Sequence, residues 1–231
     1  MSSYVILSHR DWNKDLAHQL AALLHRPFHL INERKDLSVE RLREIAPRYV
    51  FVAHWSYRIP EEIFQEFECI IFHMTDVPYG RGGSPLQNLI LRGHESTMIS
   101  GLRCVNEMDA GPVYLKRPLT LEGSAEEIYI RANGVIAEMI CEIVNYEPTP
   151  VSQVGEVTAF SRRRPEDSEI PENLSPRETY DFIRMLDAPG YPRAFLQFGN
   201  SRLEFSGAQL LGESVFATVE IRYGSPEGLT P

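Results

Sequence analysis

Short apolar runs alternate with helical repeats over the first 145 residues of the chain. Runs at residues 4–7, 28–31, 49–53 and 69–72 are apolar except for His29, which is typical of strands buried on both faces of a parallel sheet. Between these runs, apolar residues recur every three or four positions, as in amphipathic helices. The alternation predicts an α/β fold with a mostly parallel sheet and helices on its faces.

The pattern changes near residue 147. The segment EPTPVSQVGE (147–156) contains two prolines and a glycine, which predicts a linker. Further predicted elements are strands at 97–105 and 112–119 and a helix at 124–144 before this segment, and a helix at 180–186 and strands at 193–198, 202–206 and 216–223 after it. We therefore predict a domain of residues 1–147 and a small, mostly β domain of residues 148–231.

Composition narrows the class of protein. The first residues predict no secretory signal, no apolar run is long enough for a membrane span, and the three cysteines are widely spaced. These features favour a cytoplasmic protein with no metal site, no disulfide framework and no membrane partner. The net charge of −9 argues against a nucleic-acid partner, because neutralising phosphates requires basic surface.

Polar and aromatic segments follow three of the predicted strands, at residues 8–13, 53–57 and 73–76. In open α/β sheets, ligands bind beyond the carboxyl ends of the strands, so these segments are expected to line a site. No dinucleotide fingerprint or P-loop is present. A glycine-rich stretch at residues 79–85 precedes a helix and could hold an anion on its amides.

Two motifs carry a resemblance to a known family. The run HMTDVPYGRGGSP (73–85) resembles the H-x-S-L-L-P-x-x-R-G-x-x-P motif of the formyltransferases that use formyl-tetrahydrofolate, and Asp109-Ala110-Gly111-Pro112-Val113 resembles their D-x-G-x-[IV] motif. The resemblance implies a Rossmann-like formyltransferase fold, N10-formyl-tetrahydrofolate as the formyl donor, and catalysis by His73 and Asp109. A histidine suits proton transfer near neutrality because its unperturbed pKa is about 6.5.

One position departs from the family pattern. Members normally carry an asparagine two residues before the histidine, where it donates to the developing oxyanion, but this chain has Ile71. Replacement donors could be Asn88, which we include among the catalytic residues, Thr75, Ser56 or a backbone amide.

The resemblance also implies the binding residues. Trp55, Ser56, Tyr57, Ile59 and Met108 are expected to bind the cofactor, although Trp55 could equally be a core residue. The residues expected to bind the acceptor are His9, Arg10, Trp12, Asn13, Thr75, Arg81 and Gly82. For those at positions 9–13, a solvated helix start is an equally good interpretation.

Local runs such as His54-Trp55-Ser56-Tyr57 look similar to the sugar N-formyltransferases of the pseudaminic-acid pathway. We therefore expect a nucleotide-linked amino sugar as the acceptor, similar to a UDP-linked 4-amino-4,6-dideoxy hexosamine. The alternatives are formylation of initiator methionyl-tRNA, hydrolysis of formyl-tetrahydrofolate, and a non-catalytic folate- or nucleotide-binding module. The small domain is expected to complete the site or to form the interface of a homodimer.

Overall fold

The computed structural model describes residues 2–10 and 13–223, which fall into two compact units. The first unit comprises residues up to 85 together with 96–119 and 130–160, and the second comprises 86–95, 120–129 and the residues from 161 on. The helices of the described residues are α1 (Leu16–Leu24), α2 (Val39–Ile45), α3 (Glu61–Glu66), α4 (Pro85–Leu91), α5 (Ala125–Tyr146) and α6 (Pro176–Arg184). The domain boundary at residue 147 stays a prediction.

The first unit is built on a six-stranded sheet with the strand order β2-β1-β3-β4-β6-β7. Its strands are β1 (Ser3–Leu7), β2 (Phe28–Ile31), β3 (Pro47–Val52), β4 (Cys69–His73), β6 (Ser96–Arg103) and β7 (Val113–Thr120). The first four strands in the sheet order pair in parallel, and β4 pairs antiparallel with β6. The predicted α/β fold with a Rossmann-like, mostly parallel sheet is therefore confirmed.

Burial explains the apolar runs of the central strands. Residues 4–7 of β1 and 49–52 of β3 are buried on both faces of the sheet, as expected of parallel strands covered by helices. One cluster of the core joins Val5, Val50, Leu42 and Ile63, which come from β1, β3, α2 and α3. Ser38 caps α2 by accepting a hydrogen bond from the Arg41 amide. This packing fixes the positions at which β1, β3 and β4 end.

The segment predicted as a linker is attached to the first unit. Val151 forms a bridge with Val113, with both backbone hydrogen bonds at 2.8 Å. Further along, the short strand β8 (Ala159–Phe160) pairs in parallel with β5 (Arg81–Gly82). Prolines in this segment prevent a helix, but they do not prevent pairing of single residues at the edge of other elements.

The second unit contains α6 and a three-stranded antiparallel sheet in the order β11-β10-β9. Its strands are β9 (Ala194–Phe198), β10 (Ser201–Leu211) and β11 (Ser214–Tyr223). Helix α6 begins earlier than predicted because Ser175 and Glu178 form a capping box with Pro176 in the first turn. Strand β10 runs beyond the predicted residue 206 because a bulge at Gly207 lets it continue to the hairpin turn.

Within the described residues, no helix combines the length and apolarity that a membrane span requires. The same residues hold no group of three or more histidine, cysteine or acidic side chains placed to bind a metal ion.

Candidate active site

His73 and Asp109, the predicted catalytic pair, lie together in the first unit. His73 is the last residue of β4 and is 7% exposed, and Asp109 lies in the loop between β6 and β7. The distance from His73 Nδ1 to Asp109 Oδ2 is 3.6 Å, with both side chains almost shielded from water. At this distance a carboxylate stabilises a protonated imidazole by charge, without a direct hydrogen bond.

The glycine-rich loop orients the His73 ring. Nε2 of His73 lies 2.8 Å from the carbonyl oxygen of Gly80. Because a carbonyl oxygen only accepts, Nε2 must carry the proton, which leaves Nδ1 of the neutral ring as the acceptor facing Asp109. Thr75 Oγ1 donates to the same carbonyl at 3.2 Å, and the Ser100 hydroxyl donates to the Thr75 carbonyl at 2.7 Å.

Backbone geometry positions the Asp109 carboxylate. Asp109 adopts a left-handed φ of 53°, and its Oδ2 accepts a 2.9 Å hydrogen bond from the Gly82 amide. Gly111 follows two residues later, where a Cβ atom would lie 1.7 Å from the Arg103 carbonyl oxygen. The glycine in the D-x-G motif is thus required by the close approach of two backbones.

Gln153 is a functional candidate that the sequence interpretation placed in a linker and therefore missed. Its Nε2 donates to the carbonyl oxygens of Asp109 and Gly111, both at 2.8 Å. Its Oε1 accepts from Nη2 and Nε of Arg81 at 2.9 and 3.1 Å. One amide therefore joins the Asp109 loop to the residue next to Gly82. Its only sequence signal was a polar residue in a Pro/Gly-rich segment, which is not specific.

Arg81 and Gly82, predicted to bind the acceptor, make internal contacts in this structure. Besides its bonds to Gln153, Arg81 donates through Nη1 to Glu107 at 3.0 Å, and its side chain is only 14% exposed. The Gly82 amide is engaged by Asp109. Their contact with the acceptor stays a prediction.

Ile71 lies on the same face of β4 as His73, since side chains two residues apart share a face of a strand. It packs against the apolar cluster of the first unit. Of the predicted replacement donors, Thr75 is buried and donates to Gly80. Asn88 lies in the second unit, where its Nδ2 donates to the Ser161 carbonyl at 3.0 Å and its Oδ1 accepts from Arg92 at 2.9 Å. The catalytic role of Asn88 stays a prediction.

The segments that follow β1 and β3 meet in a cluster of aromatic rings. His9, Trp55 and Tyr57 lie with ring centroids 5.4 to 5.8 Å apart, and the Ser56 hydroxyl lies 3.3 Å from Nε2 of His9. Within the described residues, Trp55 Nε1 and His9 Nδ1 are buried and have no hydrogen-bond partner. Such orphaned polar atoms are expected where a ligand or water completes the site.

The remaining predicted binding residues differ in their surroundings. Ile59 is buried in the apolar cluster, whereas Met108 is 61% exposed. Asn13 is fully buried and donates to the Ser8 hydroxyl at 2.9 Å. Arg10 follows β1 and is half-buried, and Trp12 lies outside the described residues. Their roles in binding stay predictions.

Burial keeps the histidines near this cluster neutral. Desolvation, with smaller effects of Arg10 and His9, lowers the pKa of His54 to about 4. The pKa of His9 is also lowered, first by burial and then by the charge of Arg10. Neutral rings suit the recognition of a heterocycle by hydrogen bonds and stacking.

Comparisons with known proteins identify relatives for the whole chain. Residues 165–222 match the family model of the methionyl-tRNA formyltransferase C-terminal domain. The solved structure of methionyl-tRNA formyltransferase from Clostridium thermocellum is 43% identical, with a TM-score of 0.95 over 97% of this chain and 100% of that one. The curated methionyl-tRNA formyltransferase of Thermodesulfovibrio yellowstonii is 25% identical over 85% of this chain and 68% of its own. The chain spans less of other curated relatives, as little as 46% for that of Malacoplasma penetrans.

The expected sugar N-formyltransferase function is wrong. A sugar N-formyltransferase from Shewanella sp. FDAARGOS_354 covers 89% of this chain with a TM-score of 0.68, but it is only 15% identical, so that likeness shows the fold alone. The expectations of a nucleotide sugar acceptor and of no nucleic-acid partner are therefore also wrong, since the more similar proteins are named for a tRNA substrate. Short runs such as residues 54–57 led to the wrong acceptor, because proteins of one fold can share such residues and still act on different acceptors.

The two motifs, the His73–Asp109 geometry and the similarity over 97% of this chain agree. The chain belongs to the folate-dependent formyltransferase family, whose members transfer a one-carbon group from N10-formyl-tetrahydrofolate, and it is methionyl-tRNA formyltransferase-like.

Proposed function

We propose that this protein transfers the formyl group of N10-formyl-tetrahydrofolate to the amino group of methionine on initiator tRNA, in the cytoplasm. The observation that carries the proposal is the 43% identity to the Clostridium thermocellum methionyl-tRNA formyltransferase, which extends over 97% of this chain and all of that one. The paired His73 and Asp109 supply the chemistry that the transfer needs.

His73 moves the proton of the acceptor amine. In its neutral form the ring donates from Nε2 to Gly80 and presents Nδ1 as the base. When Nδ1 takes the amine proton, Asp109 Oδ2 at 3.6 Å stabilises the positive ring, and His73 then returns the proton to N10 as tetrahydrofolate leaves. The Gly82 amide holds that carboxylate oxygen in place throughout.

The same histidine compensates for the missing asparagine. Negative charge develops on the formyl oxygen during transfer and needs a hydrogen-bond donor. Ile71 has no donor, but a protonated Nδ1 of His73 can donate after it has taken the amine proton. Proton removal and charge stabilisation are thus assigned to one ring.

The aromatic cluster fits the formyl donor. When bound, N10-formyl-tetrahydrofolate supplies an activated formyl carbonyl. The buried and unpaired donor at Trp55 Nε1 suits an acceptor atom of its heterocycle, and the neutral ring of His9 offers a second polar atom. Ile59 is 4% exposed and belongs to the apolar cluster against which Trp55 packs, which keeps water from that side of Trp55.

A formylation assay tests the proposal. The protein is incubated with initiator methionyl-tRNA and N10-formyl-tetrahydrofolate, and formyl-methionine is measured by mass spectrometry after mild release from the tRNA. We expect formyl-methionine from the wild type, and a loss of about 1000-fold or more in His73→Ala and Asp109→Ala with unchanged circular dichroism. Release of tetrahydrofolate without formyl-methionine would instead indicate hydrolysis, and folate binding without turnover would indicate a binding module.

A further inference from the structure

Two acceptors compete for the single ring proton of neutral His73. Nε2 lies 2.8 Å from the Gly80 carbonyl oxygen, and Nδ1 lies 3.6 Å from Oδ2 of Asp109. A hydrogen bond to a carboxylate is roughly twice as strong as one to a neutral carbonyl, so an unconstrained ring would place its proton on Nδ1, towards Asp109. Nδ1 would then have no lone pair to accept the proton of the acceptor amine. The productive tautomer therefore depends on the Gly80 carbonyl staying close to Nε2.

The side chain of Thr75 holds the Gly80 carbonyl in that position. Its Oγ1 donates to the carbonyl oxygen at 3.2 Å, and a carbonyl oxygen has lone pairs for both this donor and Nε2 of His73. Gly80 has a φ of 75°, and a Cβ atom there would lie 2.8 Å from Cγ2 of Thr75. Thr75 is fully buried, so bulk water does not compete for the bond. Thr75 thus packs closely against Gly80 and also bonds its carbonyl.

Ser100 fixes the position of Thr75 in turn. Ser100 lies opposite His73 in the pairing of β4 with β6, and its side chain is fully buried. Its hydroxyl donates to the Thr75 carbonyl oxygen at 2.7 Å. At the other end of the loop, the Gly80 amide donates to the Thr158 carbonyl oxygen at 2.9 Å. The loop that presents the Gly80 carbonyl is therefore tied to β6 by two buried hydroxyls in series.

We propose that Thr75 and Ser100 are positioning residues that keep neutral His73 in the tautomer with its proton on Nε2, and so leave Nδ1 free as the base. Both act through the Gly80 carbonyl, so neither needs to contact the acceptor. The proposal rests on the proposed function for the reaction that the base serves. The tautomer itself is a property of the protein without substrates, and it is measured separately from turnover.

Nitrogen-15 NMR of the histidine side chains measures the tautomer, because a ring nitrogen that carries a proton resonates far from one that does not. The full chain is measured at about pH 8.5, where neutral imidazole predominates. The signals of His73 are identified by their absence from His73→Gln. We expect the wild type to carry the ring proton on Nε2. In Thr75→Val, which removes the hydroxyl and keeps the branched shape, we expect the proton to move to Nδ1 in most molecules.

The same substitution should lower kcat without a matching change in KM. If the productive tautomer falls to about a tenth of the molecules, kcat for formylation falls about tenfold while KM stays within about twofold. Thr75→Ser keeps the hydroxyl, so its tautomer should be that of the wild type and its kcat should lie within about threefold. Thr97→Val is the matched control, since Thr97 is a half-buried residue of β6 whose hydroxyl lies 3.4 Å from the Met98 carbonyl oxygen. It should change neither measurement.

A wild-type ring with its proton on Nδ1, or a folded Thr75→Val variant that keeps the proton on Nε2, overturns the proposal. So does a Thr75→Ser variant that loses the tautomer as Thr75→Val does, because the methyl group would then hold the loop. If circular dichroism shows that Thr75→Val does not fold, Ser100→Ala takes its place, with the same expected move of the proton and the same contrary result. A tautomer that moves as expected in a protein that formylates no methionyl-tRNA would support the positioning role and refute the proposed function.

Discussion

At the residue scale, the proposed site depends on one half-buried amide, that of Gln153, as well as on His73 and Asp109. Gln153 bonds the carbonyls of Asp109 and Gly111 on one side and Arg81 on the other. All four hydrogen-bonding positions of its amide are used. Since a catalytic group displaced by 1 Å costs about 100-fold in rate, we assign Gln153 as a positioning residue for Asp109.

Replacing Gln153 should reduce turnover more than binding. We expect Gln153→Leu to lower kcat about 10- to 100-fold with little change in KM for the formyl donor, because the Asp109 loop loses its support while the cluster around Trp55 is untouched. Gln153→Glu keeps the acceptor for Arg81 and loses the donors, so it should be impaired as well. Gln65→Leu, an exposed glutamine on α3 bonded to Glu61, is the matched control. A variant that raises KM alone would contradict the positioning role.

Ile71 is the second residue whose substitution is informative. It lies on the face of β4 that leads to His73, at the position of the family asparagine. We expect Ile71→Asn to raise kcat about tenfold by adding a donor for the oxyanion, while lowering the free energy of unfolding by about 1 to 3 kcal/mol through lost packing. Ile71→Val measures the packing loss alone. A large loss of kcat in Ile71→Asn, absent from Ile71→Val, would show that the site is shaped around isoleucine.

His54 makes stability depend on pH. Its folded-state pKa of about 4 lies below the unfolded value of 6.5. As pH falls from 6.5 towards 4, the unfolded chain therefore binds a proton that the folded chain does not, and the free energy of unfolding falls. The loss reaches about 2 kcal/mol at pH 5. His54→Asn, which tolerates the left-handed φ of 55°, should lose less stability than the wild type between pH 7 and pH 5 in urea unfolding.

The control for that measurement is His18→Asn, because His18 is an exposed residue of α1. The free energy of unfolding of His18→Asn should change between pH 7 and pH 5 as that of the wild type does. A His54→Asn variant that also follows the wild type would contradict the assignment of the pH dependence to His54.

At the element scale, close contacts between strands and loops set the shape of the site. Gly82 in β5 has a φ of 108°, and a Cβ there would lie 2.4 Å from the Phe160 carbonyl oxygen in β8. Gly111 is similarly constrained at the start of β7 by the end of β6. Backbone packing thus requires the glycines of the D-x-G and R-G motifs. The same packing places the Asp109 carboxylate against the Gly82 amide.

A glycine pair tests this requirement. We expect Gly111→Ala to lower the free energy of unfolding by about 2 kcal/mol or more and to impair turnover, because the Arg103 carbonyl is backbone and cannot move aside. Gly134→Ala in α5, where nothing lies within 4 Å of the added carbon, should raise stability by up to about 1 kcal/mol. Urea unfolding of both variants gives the comparison. Equal effects of the two changes would contradict the steric argument.

At the scale of the whole molecule, the net charge led to a wrong expectation about the acceptor. The net charge of −9 counts every carboxylate and does not show where on the surface the arginine and lysine side chains lie. Many arginines pair with carboxylates of the same chain, such as Arg43 with Glu66 at 2.7 Å and Arg177 with Asp181 at 2.9 Å. No lysine follows Lys116. We therefore expect recognition of an RNA by this chain to rely on few phosphate contacts.

The salt dependence of the reaction measures those contacts. If the acceptor is methionyl-tRNA, kcat/KM should fall with salt along a shallow logarithmic slope, of magnitude about 3 or less, because each neutralised phosphate adds slightly less than one to the slope. Formylation assayed from 50 to 300 mM potassium chloride gives the value. Free methionine methyl ester, which has no phosphates, is the control acceptor. A slope of magnitude above about 6 would indicate an extended basic surface that the charge pairing argues against.

The sequence by itself determined the order of elements in the first unit, and its resemblance to the formyltransferases implied the pairing of His73 with Asp109. Apolar runs and helical repeats are local patterns that follow directly from burial on two faces or one. The motif glycines were visible in the sequence, but the close backbone contacts that require Gly82 and Gly111 were not. Helix and strand ends differed by a few residues because caps and bulges, such as those at Ser175 and Gly207, decide them.

Only the tertiary structure decided which distant groups meet. Gln153 reaches Asp109 across 44 residues and Arg81 across 72, and no local pattern encodes such contacts. The tautomer of His73 likewise depends on where the Gly80 carbonyl lies. These features arise only when packing brings distant segments of the chain together, so no local sequence pattern predicts them.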